Sequence, residues 1–205
     1  MTDFCYSVRK ILNAVTRSRT GMWAAQLLAR YLEGKSYEIV LEHSRHVADL
    51  ALDVARQLAL PDSDCQFIEE AALLHDIGVC QVHAPALGLH GPHQYIMHGV
   101  LGRAILEKEG YPRHALVCER HTGVGLTCAD IVRQGLPLPH REMCPETLPE
   151  QIICFADLFY SKKPGSLSTR KNSALVRQKL LPFGEDKVRV FDSWLARFKW
   201  SDHPS

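Results

Sequence analysis

The chain has 205 residues, 24 of them basic and 23 acidic, for a formal net charge of +1. That balance gives no global signal for nucleic acid or an anionic membrane, and 46% hydrophobic residues in a chain of this length suit one globular domain with a real core. Seven cysteines without a C-x-x-C pair argue against a zinc knuckle or a disulfide framework, so the thiols are expected to be reduced.

No apolar run reaches the ~18 residues of a membrane span. The opening "MTDFCYSVRKILNAV" lacks the basic-then-apolar layout of a secretion signal. The cytoplasm is the expected compartment. Periodicity is helical and no segment alternates like a strand, which predicts an all-α fold. In chain order, helices are expected over 22–33, 36–60, from Ser63 to Gly78, 95–109, 112–121, 149–160, 171–181 and 185–199. Ser63 and Gln66 read as a capping box, and Gly78 as a left-handed helix stop. Residues 79–94 and the four-proline stretch 133–149 read as irregular connections. Residues 1–30 are taken as an N-terminal helical extension, 31–165 as the main domain and 166–205 as C-terminal helices packed on it. The stripe Val188, Phe191, Leu195 and Phe198 is read as a packing face, with a homodimer contact as the alternative.

Eleven histidines are many for this length, and seven lie between His75 and His121. On the long second helix His43 falls within the apolar stripe of Val40, Val47 and Leu50, whereas His46 falls on the charged side with Glu42, Asp49 and Asp53. His75 shares a face with Ile68 and Ala71, and Asp76 stands about 100° further round. His98 shares a face with Leu101 and Ile105, beside Gly99 and Gly102. His121 ends a helix with Val117 and Cys118 on its face, while His114 lies roughly 10 Å away along the axis. Asp157 sits in the apolar stretch "QIICFADLFY". A buried unpaired carboxylate there costs several kcal/mol or takes up a proton. Each of these residues alone has a structural reading, such as a carbonyl-bonded histidine or an arginine salt bridge. Six together form a mixed N/O donor set suited to Mn, Fe, Co or Zn.

The order His, His-Asp, His, His, Asp resembles the HD-domain superfamily of metal-dependent phosphohydrolases, and "HDIG" resembles the hallmark of one large subgroup. "HSRHVADLALDVA", "HGVLGRAIL" and "FADLFYSK" are similar to its flanking motifs. The resemblance covers about residues 30–165. It implies an all-helical bundle with the site between helices. His43, His75, Asp76 and Asp157 would hold one divalent transition metal. Asp76, the expected catalytic residue, would bridge to a second metal completed by His98 and His121. The implied activity is hydrolysis of a phosphoester or phosphoanhydride of a small, nucleotide-like substrate by a hydroxide bridging the metals. Other members with the same ligand order are mixed-valence di-iron oxygenases, and a regulatory nucleotide-binding module is a further alternative.

The sequence departs from commoner members where a lysine often follows "HDIG": here stands Val79. "ERHTGVGL" also differs from the motif of cyclic-di-GMP phosphodiesterases. Lys162 and Arg120 are therefore the expected substrate cations, and His83 and His93, with His90 in the same loop, are candidates to cover the substrate. Six basic residues and no acid run from Lys162 to Lys179.

Overall fold

The computed structural model describes residues 20–163 and 165–202, so residues 1–19 of the expected N-terminal extension lie outside the described residues. Among these residues are nine α-helices: α1 (Thr20–Leu28), α2 (Gly34–Gln57), α3 (Asp62–Leu74), α4 (His98–Lys108), α5 (Pro112–Arg120), α6 (Cys128–Gln134), α7 (Leu148–Leu158), α8 (Ser173–Leu180) and α9 (Glu185–Arg197). The fold is all-α, as its periodicity predicts. No helix among the described residues is long and apolar enough to cross a membrane.

The apolar stripe of α2 packs Val40, Val47, Leu50, Ala51 and Val54 out of solvent. It faces α3 and α7, whose Ile68, Ile152, Ile153 and Phe155 are wholly buried. Phe155 and Phe159 meet Phe191 and Phe198 of the C-terminal region, with Phe155 centroids 5.8 and 5.1 Å from theirs. Each such burial contributes roughly 1.5–3 kcal/mol. Of the Val188–Phe198 stripe, Phe191 and Phe198 are wholly buried in this core, and Val188 and Leu195 are half-buried against it.

Three local expectations differ. α3 starts at Asp62 behind Pro61 with no side-chain cap, so Ser63 lies inside the helix. The capping box occurs instead at Thr127 and Asp130, opening α6 in a stretch for which no helix is expected. The 79–94 connection is ordered: a 3-10 turn (Ile77–Gln81) leads to β1 (His83–Ala84), paired antiparallel with β2 (Leu89–His90) in the register His83 to His90. Two-residue strands are too short to show alternation. All six described cysteines are free thiols.

Gly78 is not a left-handed stop. Its φ is not positive, but a Cβ there would lie 2.0 Å from the His98 carbonyl oxygen and 2.3 Å from the Gly102 amide nitrogen. The glycine lets the turn after α3 touch the backbone of α4. On the other side of α4, a Cβ at Gly99 would lie 2.7 Å from the Cys118 carbonyl oxygen. These two close approaches stack the Asp76 turn, α4 and α5 at short range, which carries His98 and His121 to the same point.

Candidate metal centre

Five chain segments converge. His43 comes from the middle of α2, His75 and Asp76 from the end of α3, His98 from the first residue of α4, His121 from the end of α5 and Asp157 from α7. His43, His75, Asp76, His98 and His121 are buried, and the Asp157 side chain is 18% exposed.

The Asp76 carboxylate stands at the centre. Its Oδ2 lies 2.9 Å from His75 Nε2 and 3.4 Å from His43 Nε2. Its Oδ1 lies 3.5 Å from His98 Nε2 and 3.6 Å from His121 Nε2. Asp157 Oδ1 faces the first pair, 2.9 Å from His43 and 3.6 Å from His75. The donor atoms of His43, His75 and Asp157 lie within 4.8 Å of one another, as do those of His75, Asp76 and His121.

Three rings are oriented from behind. Nδ1 of His75, His98 and His121 lies 2.7, 2.7 and 2.8 Å from the carbonyl oxygens of Ala72, Tyr95 and Cys118, each three residues back. A carbonyl only accepts, so each Nδ1 carries the proton and Nε2 turns inward. His98 Nε2 and His121 Nε2 are 3.0 Å apart. With both Nδ1 atoms protonated, two neutral rings would oppose lone pairs at that distance. A cation between them and Asp76 resolves the conflict. This donor set fits a divalent metal: imidazole nitrogens and carboxylate oxygens aimed inward, with His75 Nε2 and both Asp76 oxygens buried and lacking a well-aligned hydrogen bond.

Burial works against ionisation of Asp76, but His75 and Lys162 outweigh it and hold its pKa well below the usual carboxylate range. Asp157 is held low in the same way, by Lys162 and His43 against burial. Burial and Lys162 push His43 down to about 4, and burial and His121 push His98 down to about 3, so both are neutral donors. At His75 burial is outweighed by Asp76 and Asp157, which raise it to about 10. The His75 imidazolium and the Lys162 ammonium thus balance the two carboxylates.

Of the expected substrate residues, the structure brings only Lys162 to this centre. Its Nζ lies 2.7 Å from Asp76 Oδ2. Arg120 points away and is held by Glu150 at 3.0 Å and Glu146 at 2.9 Å. His83 and His90 are exposed on the small hairpin, and His93 is tied there by its carbonyl, which accepts from the His83 amide at 2.7 Å. None of the three lines the cavity beside the centre, because the hairpin's pairing holds them outside it. His114 is structural, 3.3 Å from Glu70 and packed on Phe67.

A cavity of about 750 Å³ opens beside Asp157, lined in part by Tyr95, Tyr160, Lys171, Lys179 and Lys187. These lysines carry no motif. The only sequence signal for Lys171 and Lys179 is the acid-free basic run in which they lie.

A family model for the HD domain matches residues 40–160. The chain is 34% identical over 125 residues to an uncharacterised protein of Methanocaldococcus jannaschii, a match covering 58% of this chain and 65% of that one. It is 32% identical over 125 residues to a tRNA (cytidine(56)-2'-O)-methyltransferase of Thermoplasma volcanium, covering 60% of this chain and 32% of that one. A protein of the same name from Picrophilus torridus is 28% identical over 139 residues, covering 63% of this chain and 37% of that one. The chain therefore spans under two thirds of the first relative and about a third of the other two. No solved structure matches it significantly.

Proposed function

Because this chain belongs to the HD-domain family, a superfamily of metal-dependent phosphohydrolases, we propose that it hydrolyses a phosphoester or phosphoanhydride of a small, nucleotide-like substrate. The observation that carries the reading is the division of the Asp76 carboxylate, one oxygen towards His43 and His75 and the other towards His98 and His121. A carboxylate so divided suits a bridge between two divalent transition metals, with Fe, Mn, Co and Zn all compatible with the N/O donors. His43, His75, Asp76 and Asp157 would hold one ion, and Asp76, His98 and His121 the other. Such ions, when bound, supply an acidified water and charge neutralisation for phosphoryl oxygens.

The chain's own residues do the rest. The carbonyl bonds behind His75, His98 and His121 fix the rings before any ligand arrives, so no reorganisation is needed. Lys162 adds a fixed positive charge beside Asp76, where a phosphoryl group would sit. It supplies the cation that Val79 does not. Burial of His43, His75, Asp76, His98 and His121 strengthens each charge interaction. Methyl transfer belongs to the names of the two longer tRNA-modifying relatives, and from them only a substrate hint is taken: ribose phosphates are the first class to test.

The test is metal content of the purified chain, followed by a panel of nucleotides and simple phosphate esters under that metal. Two equivalents of transition metal with phosphate release support the reading. Metal-loaded protein inert on the whole panel, or one that consumes oxygen on a polyol, overturns it.

A further inference from the structure

The cavity beside Asp157 is far larger than a phosphate needs. Its volume of about 750 Å³ lies within the ~300–1,000 Å³ of pockets that enclose a whole organic ligand. Ile96, Val124, Leu126, Val176, Leu180 and Phe183 make most of its wall apolar.

Three lysines interrupt that wall. Lys187 is already neutralised, since its Nζ pairs with the buried carboxylate of Asp130. Lys171 and Lys179 are not: among the described residues neither has a carboxylate partner. Lys171 Nζ donates to the carbonyl oxygens of Leu158, at 2.8 Å, and Tyr160, which fixes its position at the end of α7. Burial lowers its pKa to about 8 against the pull of Asp157, with Lys179 and Lys162 adding to the lowering. Lys171 and Lys179 thus line the same cavity as Asp157, while Lys162 pairs with Asp76. Only Lys162 serves the phosphoryl group at the centre. Lys171 and Lys179 stand beyond residues 40–160, where the family match ends.

We propose that α8 and its approach form a distal anion subsite, so that the substrate carries a second phosphate-class group joined to the scissile one through an apolar or aromatic moiety. This rests on the phosphohydrolase reading for the first group. The second phosphate could belong to a small bisphosphate or to the next link of an RNA end, and the chemistry offered by Lys171 and Lys179 is the same for both.

The experiment uses the metal-loaded full chain with adenosine 5'-monophosphate, adenosine 3',5'-bisphosphate and the 5'-phosphorylated dinucleotide pApA. kcat/KM is measured for each, and calorimetry follows binding of their non-hydrolysable 5'-phosphonate analogues. One charge-assisted contact predicts a preference of about tenfold for the compounds that carry a second phosphate. In K179Q that preference should fall below about threefold, and in K108Q, an exposed charge outside the cavity, it should stay. A preference for the bisphosphate alone assigns a small molecule, and one that extends to pApA assigns an RNA end. Equal turnover of all three compounds, or a preference untouched by K179Q, overturns the subsite and leaves the hydrolase reading standing. If nothing is hydrolysed, that reading fails, and the calorimetric preference and its response to K179Q still decide the subsite.

Discussion

Lys162 Nζ lies 2.7 Å from Asp76 Oδ2, although 86 residues separate the two in sequence. The position after "HDIG" holds Val79, which is wholly buried in the apolar core and carries no charge. The loop leaving α7 supplies the ammonium instead. Lys162→Gln removes a cation without removing a ligand. Metal stoichiometry should therefore be retained while kcat/KM on a phosphate ester falls by about 100-fold, the scale of losing one fixed transition-state donor. Loss of metal in this variant would mean that Lys162 only props the ligands.

Asp76 serves both histidine pairs, so Asp76→Asn should disable both halves of the centre together. Bound metal should drop below one equivalent, and turnover should be lost. The variant should keep its helical circular dichroism, because α2, α3 and α7 are held by the apolar core. Its melting temperature should still fall, since removing one partner of a buried charge cluster costs about 3 kcal/mol. Full activity in Asp76→Asn would sink the bridged-site reading.

His43, His98 and Asp157 were legible because each sits on a helix whose apolar stripe fixes its direction, whereas His75, Asp76 and His121 follow the ends of α3 and α5, where the stopping of the helix lets them turn to the same centre. His43 can be separated from His46 by helical spacing alone. The roles of Arg120 and Lys187 were not legible, since the carboxylates that hold them lie 26 to 57 residues away and only tertiary packing brings them near. The hairpin histidines mislead for the same reason: nothing local says that His83 will pair with His90. α6 had a readable signal in Thr127 and Asp130, but the prolines that follow mask so short a helix. Gly78 was legible as special and not as what it is, because a close approach depends on the other backbone.

Gly78→Ala tests that approach. The added Cβ would meet backbone atoms of His98 and Gly102 at 2.0 and 2.3 Å, and backbone cannot rotate aside. The turn carrying Asp76 must then move away from α4. Stability should fall by about 1–3 kcal/mol or more, as for an overpacked core, and bound metal should fall with it. Unchanged thermal stability and metal content would show that the two segments have room to part.

The Asp130–Lys187 pair should give the fold an acid-sensitive contact away from the metal centre. Burial opposes ionisation of Asp130, yet the hydrogen bonds from Lys187 and from the Thr127 amide lower its pKa to about 2. The unfolded value is near ~3.9. The native state therefore binds fewer protons than the unfolded chain between these values. The stabilisation is complete above the unfolded pKa and is lost as pH falls through about 2. Urea unfolding of wild type and Asp130→Asn should differ by a constant amount from pH 5 upwards, with the gap closing from about pH 4 towards pH 2. A gap that widens on acidification would reverse the sign and exclude this pair as its source.

His43 and His46 stand one turn apart on α2 and should behave oppositely. His43 is buried with Nε2 2.9 Å from Asp157 Oδ1, so His43→Ala removes a donor from the first histidine pair and should cost bound metal. His46 is 31% exposed, 4.0 Å from Glu42, and stacks on Tyr160 with centroids 5.3 Å apart. That stacking is more contact than its charged helix face suggests, and Tyr160 lines the cavity. His46→Ala should therefore keep full metal content and lose about 0.5–1.5 kcal/mol of stability, the worth of one ring pair. Metal analysis and thermal melts on the two variants side by side decide it. Metal lost in His46→Ala and kept in His43→Ala would reverse the inward face of α2 and undo the assignment of every ligand built on it.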